Sequence, residues 1–502
     1  VESEIRTEVR VLSGAAVVLR RRGWSVSLVS ALLIVPCLWH PHIEAGDLGS
    51  HVYNAWLAQL IGKGQAPGLY FAPQWNNVLF DLMLLHTVNS LGFAAAQKVV
   101  VSACVLLFFW GAFAFVTAVA GQPPWALTPG LALVAYGYSF NMGFFNYYLS
   151  IALGCLFLAL VWRGWNGGGV ARWIAAGVLA VLTMFAHPMG ICWIAGALLY
   201  RWLRERLPGW WKLTIPLAEL FAYRVALLFA HRRNWQVDWH AAVPFYQLNG
   251  SDQLNLYGDR YVTLAWVTLF FSVACFALEA WMRRQDRAYW SRVAFPLELY
   301  ALLCVTTFAV PENLRVGVYA AWIGLLESRL TTVVAIAGLC VLACGKPRWW
   351  HTAGFGAIGA VFFTLLYQDT GKLNVVETNA EQLVASLPVG TRVVPTVAAD
   401  PDWRIEFIAH IVDRTCVQRC FVFSNYEPSS RQFRVRVVEK GSWLVTPSAE
   451  NADDMQGGSY EIERGDLPLT HIYQCDREDW TKLCAKELKE GENTGTGWVR
   501  PE

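Results

Sequence analysis

Long apolar stretches separated by short polar ones dominate this chain. The first uncharged run, residues 25–41, is close to the roughly 17 residues that can just span a bilayer. Further runs at about 97–120, 124–143, 144–162, 171–187, 188–203, 212–231, 261–282, 290–311, 328–345 and 350–367 predict more membrane helices. The stretch 77–93 is ambiguous, because Asp81 and His86 interrupt its apolar residues. Charge resolves it. If 77–93 does not cross, then Arg163 and Arg172, next Arg201, Arg204, Arg206 and Lys212, next Arg283, Arg284, Arg287 and Arg292, and last Lys346 and Arg348 share one side with Arg20, Arg21 and Arg22. Basic loops stay in the cytoplasm. The pattern therefore predicts a polytopic α-helical membrane protein with eleven transmembrane helices. It sits in the inner (plasma) membrane with its N-terminus cytoplasmic.

Near Asp369 the pattern changes, and charges spread evenly with no run long enough to span. Residues 373–397 read as an amphipathic helix, a Pro-Gly turn and a strand, and 432–438 alternate as a strand does. The expectation is a transmembrane domain over 1–368, with a first outer loop at 42–96, followed by an extracytoplasmic, periplasmic or extracellular, α/β domain over 369–502. Cys416, Cys420, Cys475 and Cys484 fall in that second domain. An oxidising compartment allows them one or two disulfides, in any of three connectivities.

Composition reinforces the membrane reading. Of 502 residues 55% are apolar and 16% charged, with a mean hydropathy of +0.35, so lipid is the solvent for most of the chain. The net charge of +2 comes with no concentrated basic patch, which argues against nucleic acid as a partner. Arg20, Arg21 and Arg22 before an apolar run have the outline of a signal peptide, but no small-x-small cleavage site follows, so the first helix is expected to remain.

Candidate chemistry gathers just after that helix, in GDLGSHVYNAWLAQLIGKG (46–64). Asp47, His51, Asn54 and Ala58 share one helical face, and Leu48, Val52, Ala55, Trp56 and Leu60 share another, as in a helix lying along the membrane interface. Asp47 serves equally well there as a base or as a helix N-cap. Other costly charges on the outer side are Glu44, Asp81, His86, His187, Arg224, Glu312, Arg315, Glu327 and Arg329. A reaction on a lipid-borne substrate needs a base and cations for a leaving phosphate. Asp47 with His51 fits the first need and Arg315 or Arg329 the second, although interface arginines also snorkel without function. Glu44, Asp81, His86 and His187 join the set as candidate substrate contacts, although His187, at a helix end in FAHPMG, reads better as a turn residue. In YSFNMGFFNYYLS (138–150), Asn141 and Asn146 among aromatic rings suit a sugar or isoprenoid surface as well as they suit an ordinary aromatic belt. No P-loop, dinucleotide fingerprint, HExxH, nucleophile elbow or haem motif is present.

The stretch GDLGSHVYNAWL with Asp47, followed by GFFNYYL (143–149), resembles the GT-C superfamily of integral membrane glycosyltransferases, and most of all its bacterial members. The resemblance covers roughly 1–368. It implies transfer of a sugar from a polyprenyl-phosphate carrier to an acceptor at the outer face by a single inverting displacement, with Asp47 in the position of the catalytic acid residue. Many members carry two adjacent acidic residues there, whereas Leu48 follows Asp47 here. The resemblance names no protein metal ligand, and leaves a divalent cation (Mg or Mn) open. Its implied partners are a lipid-linked sugar donor, membrane lipids and an acceptor. Two alternatives stand beside it. One is a non-catalytic GT-C-shaped scaffold among the subunits of a membrane complex, and the other is a transporter.

Overall fold

The computed structural model describes residues 22–495 apart from 163–168, 210–213, 240–247, 317–321, 399, 401, 406–407, 409, 439 and 477. Arg20, Arg21, Arg163 and Lys212, used above to assign sidedness, lie outside the described residues. The first helix, α1 (Arg22–Cys37), closes in a 3-10 turn at Val35–Cys37 where Pro36 enters. The chain then forms α2 (Leu48–Gly62), β1 (Leu69–Phe71), α3 (Leu79–Leu91) and α4 (Phe93–Ala120). Next come α5 (Thr128–Ala135), α6 (Tyr138–Asn141), α7 (Phe145–Trp162), α8 (Val170–Ala186), α9 (Pro188–Arg206), α10 (Thr214–Arg232) and β2 (Gln236–Asp238). After these follow α11 (Asp259–Met282), α12 (Arg287–Ala309), β3 (Asn313–Arg315), α13 (Leu326–Cys344) and α14 (Trp349–Ser386).

Seven of these helices, α4, α7 and α10 to α14, are long and apolar enough to cross a membrane. The protein is thus helical and multi-pass. Helices α1, α3 and α8 are apolar but shorter. The 13 residues of α3 extend about 20 Å, less than the ~30 Å hydrocarbon layer. The run 124–143 differs from the single helix expected of it. It breaks between α5 and α6, where the Asn141 amide donates to the carbonyls of Tyr136 (2.7 Å) and Gly137 (3.1 Å). Gly137 has no room for a side chain, since a Cβ there would lie 2.9 Å from that of Gln253.

The boundary expected at 368/369 falls inside α14, whose 38 residues run on without interruption. Beyond α14 lie β4 (Arg392–Thr396), α15 (His410–Thr415), β5 (Phe421–Val422), α16 (Glu427–Ser430), β6 (Val435–Val437), α17 (Ala449–Gly457), β7 (Thr470–Gln474) and β8 (Leu483–Glu487). A four-stranded sheet runs β5-β4-β7-β8, with β4 parallel to β5 and β7, and β8 antiparallel. The helix, turn and strand read from 373–397 are the end of α14, a turn with Gly390 at φ +87, and β4. The alternation at 432–438 contains β6, which pairs antiparallel with β1 and ties the C-terminal segment to the loop after α2. Of the three possible cysteine connectivities, the structure has Cys416–Cys420 and Cys475–Cys484. One apolar core runs from Phe108 and Tyr148 in the helices to Val393 and Val412 beside the sheet.

Candidate functional site

The start of α2 is held by the turn at Met142. The Gly46 and Asp47 amides donate to the carbonyls of Asn141 (2.8 Å) and Met142 (3.0 Å). Backbones approach this closely only because of glycine. A Cβ on Gly46 would lie 2.6 Å from the Met142 oxygen, and one on Gly143, at φ +77, would lie 2.5 Å from the Asp47 nitrogen. The two stretches quoted above for their motif-like residues are therefore one structural unit. On its other flank Gly49 admits α15, since a Cβ there would lie 1.9 Å from the His410 carbonyl oxygen.

Asp47 occupies the N-cap position, but in helical backbone geometry and without a side-chain capping bond. Its Oδ1 is buried with no partner among the described residues. Burial raises its carboxyl above the ordinary range, and His410, His51 and Arg329 counter that by favouring the charge.

Four residues downstream, His51 Nδ1 meets Asp81 Oδ1 at 2.7 Å. Asn146 donates to the other Asp81 oxygen (2.8 Å) and accepts from the Phe80 amide (2.8 Å), which fixes α3 against α7. Burial disfavours charge on His51, yet the Asp81 carboxylate prevails and pushes it up to about 9. Across from them Glu427, in α16, accepts from the Ser50 hydroxyl at 2.8 Å, and burial raises its carboxyl to about 7. His410 Nδ1 meets Asp413 at 2.6 Å. In the first turn of α13, the Arg329 guanidinium stacks over Phe144 at 4.0 Å, and its buried Nε has no partner among the described residues. His187 caps α9 by accepting from the Met189 amide (3.2 Å). Burial, aided by Arg329, pulls it down to about 3, so it is neutral.

These groups meet at a cavity of ≈ 700 Å³. Of the residues singled out from sequence, it brings together Asp47, His51, Asn146, His187 and Arg329, with Glu312. Asp81 stands behind His51. The other six lie elsewhere, Arg224 on α10 and Glu327 on α13 among them. Glu44 belongs to a buried ion cluster with Arg414, described below, and Asn141 braces the α5–α6 break. His86 is exposed on α3. Arg315 sits in β3, paired with Gln236 of β2, and favours the charge of Asp453.

Sequence reasoning missed one wall altogether. Tyr426, Glu427, Gln432, Phe433, Asp453 and Gln456 line the cavity from the C-terminal segment. Nothing local marks them, since almost 380 residues separate Ser50 from the Glu427 it binds.

The donor set at Asp47 does not fit a protein-held divalent cation. Mg²⁺ and similar ions want several hard oxygens, whereas Asp47 is ringed by His51, His410 and Arg329. Among the described residues, three ligand-type side chains converge only at His42, Glu377 and Glu381, which do not line this cavity. No known family model matches the chain, and no curated protein is detectably similar to it.

Proposed function

We propose that the chain is a GT-C-like membrane glycosyltransferase that moves a sugar from a polyprenyl-phosphate carrier to an acceptor at the extracytoplasmic face. The observation that carries this reading is the unpartnered Asp47 carboxylate on a ≈ 700 Å³ cavity that also holds Arg329, where apolar helices meet the polar C-terminal segment.

Contacts between element ends support an alternating course of eleven crossings. The Arg22 guanidinium lies 5.2 Å from the Trp125 ring, while Gly46 and Asp47 bond to Asn141 and Met142. Residues 125–141 thus run from one end of α1 to the other despite their break. Helices α8 and α9 meet at His187 beside the cavity. Strands β2 and β3, which follow α10 and α12, pair with each other, and Asn313 of β3 lines the cavity. At the opposite end Glu279 holds Arg283 (2.8 Å) and lies near Arg348 (3.9 Å). Two of the basic loops thus meet there, away from the site, which is the asymmetry expected of cytoplasmic loops.

In this reading Asp47 takes the proton of an acceptor hydroxyl as that oxygen bonds to the anomeric carbon. The bond from that carbon to the carrier's phosphate oxygen breaks, and the phosphate leaves with the electron pair toward Arg329. Neutral His187 leaves that guanidinium as the cation for the phosphate, and His51, held by Asp81, favours the charged form of the base.

Positioned general bases contribute about 10²- to 10⁴-fold. Asp47→Asn in proteoliposomes charged with polyprenyl-phosphate sugars is therefore expected to cut transfer by at least about 10²-fold while the protein elutes as a folded species. Transfer at the unmodified rate would overturn the assignment.

A further inference from the structure

A motif with a single acid residue leaves open how a buried carboxylate remains charged enough to act as a base. Of the other carboxyls on the cavity, Glu312, Glu427 and Asp453, it is Glu427 that is hydrogen-bonded to α2. Asp47 and Ser50 lie three residues apart on one face of α2, about 5–6 Å between Cβ atoms by helix geometry. Ser50 Oγ donates to Glu427 Oε1 at 2.8 Å. Glu427 is buried at 4% exposure and lines the same cavity as Asp47. Two carboxyls on one cavity, each sensing the other's charge, resist ionising together, so one keeps a proton.

Resting on the transferase reading, we propose that Glu427 is the second carboxyl of the site, delivered by the C-terminal segment, and that it holds the pair's shared proton so that Asp47 stays ionised. It is a positioning residue, acting through Asp47.

The surrounding charges agree on which carboxyl keeps the proton. Facing Asp47 are His51 from α2, Arg329 from α13, and His410 with Asp413 from α15. Facing Glu427 are His51, Asp81 from α3 and Asp47 itself, with Tyr426 beside it. Asp47 thus has Arg329 beside it in addition to two histidines paired with Asp81 and Asp413, whereas the one cation facing Glu427 is His51, already paired with Asp81. Of the two carboxyls, Glu427 is therefore the one that keeps the proton to the higher pH. The C-terminal segment is then part of the catalytic apparatus, and the site is incomplete without it.

The test reads protonation directly, so it does not depend on turnover. In infrared titration of the full chain in nanodiscs, the C=O stretch of a protonated carboxyl is expected to disappear with a midpoint near 7, and Glu427→Gln is expected to remove that band. Asp47→Asn is expected to lower the midpoint by about one pH unit, because the repelling charge is gone. Ser50→Ala, a mild change that keeps the fold, is expected to raise it, because a hydrogen bond to the charged form is lost. A midpoint that ignores Asp47→Asn, or a band that survives Glu427→Gln, overturns the pairing. If the titration behaves as expected while the unmodified protein transfers no sugar, the carboxyl pair stands and the transferase reading falls.

Discussion

Glu44 and Asp47 lie three residues apart on the same short connection, and the protein treats them in opposite ways. Glu44 enters a closed cluster. Arg414 donates to Glu44 (3.2 Å), to Gln97 (3.1 Å), to the Ile43 carbonyl (2.9 Å) and, through two nitrogens, to Glu377. The space beside this cluster is ≈ 20 Å³, room for about one water. Asp47 faces a space of ≈ 700 Å³, and its carboxylate makes no hydrogen bond or ion pair among the described residues. An acid bonded to a buried guanidinium ties parts of the chain together, here the first connection, α14 and α15. One left unpartnered at a cavity is a standing cost, which a working site explains and a structural role does not.

The largest expected effect strikes the closed cluster. Arg414→Met leaves Glu377, which has no exposed side-chain surface, without its counter-charge. Breaking a buried pair from one side costs about 3–5 kcal/mol, so thermal unfolding in detergent should show a fall of many degrees. A change within a degree or two would mean that the cluster is not what fastens α15 to the membrane helices. Next in size is Gly49→Ala. Its methyl carbon would sit 1.9 Å from the His410 carbonyl oxygen, so α15 must move away from α2. Overpacking of this kind costs about 1–3 kcal/mol, and protease cleavage within 400–430 should become faster than in the unmodified chain.

The His51–Asp81 pair gives a smaller effect with a definite pH window. His51 is raised in the folded chain to about 9 from the 6.5 of a free imidazole. The stability it contributes is therefore complete below about pH 6.5 and is lost as pH rises through 9. Unfolding temperatures followed from pH 6 to 10 should fall across that window, and the fall should flatten in His51→Gln. A slope that persists in the variant would assign the loss to another group.

How far the sequence revealed this contrast depends on the range of each interaction. Helical periodicity and basic loops are local, so the apolar helices, the helix α2 and the acid residue at its start were all visible in order along the chain, whereas the burial of α2 on every face from Leu48 to Ala58 was not. The α5–α6 break was not, because it depends on Gln253 packing against Gly137 from more than a hundred residues away. The length of α14 was hidden for a related reason. Its composition changes at residue 369 while its backbone continues, since helix formation needs unbroken hydrogen bonding and not uniform hydropathy. Asp47 and Glu44 looked alike in the sequence, as two acids after an apolar run. Their difference resides in Arg414, which bonds Glu44 and Glu377, and in Glu427 and His410, which meet Ser50 and Gly49 beside Asp47, all from beyond residue 370.

The smallest effect expected is also the most discriminating. Burial raises the Asp47 carboxyl, so ionising it opposes folding, and its contribution to stability is greatest below the ordinary carboxyl range and declines as pH rises. At neutral pH Asp47→Asn removes that opposing charge, and no hydrogen bond of its carboxylate is lost with it. The variant should unfold within about 1 kcal/mol of the unmodified protein, on the more stable side, as functional-site replacements often do. Glu44→Gln at the same pH disturbs the Arg414 cluster and should be the less stable of the two. If the order is reversed, Asp47 is the residue that fastens the chain, and the distinction between a structural acid and a working one fails at the point where it was drawn.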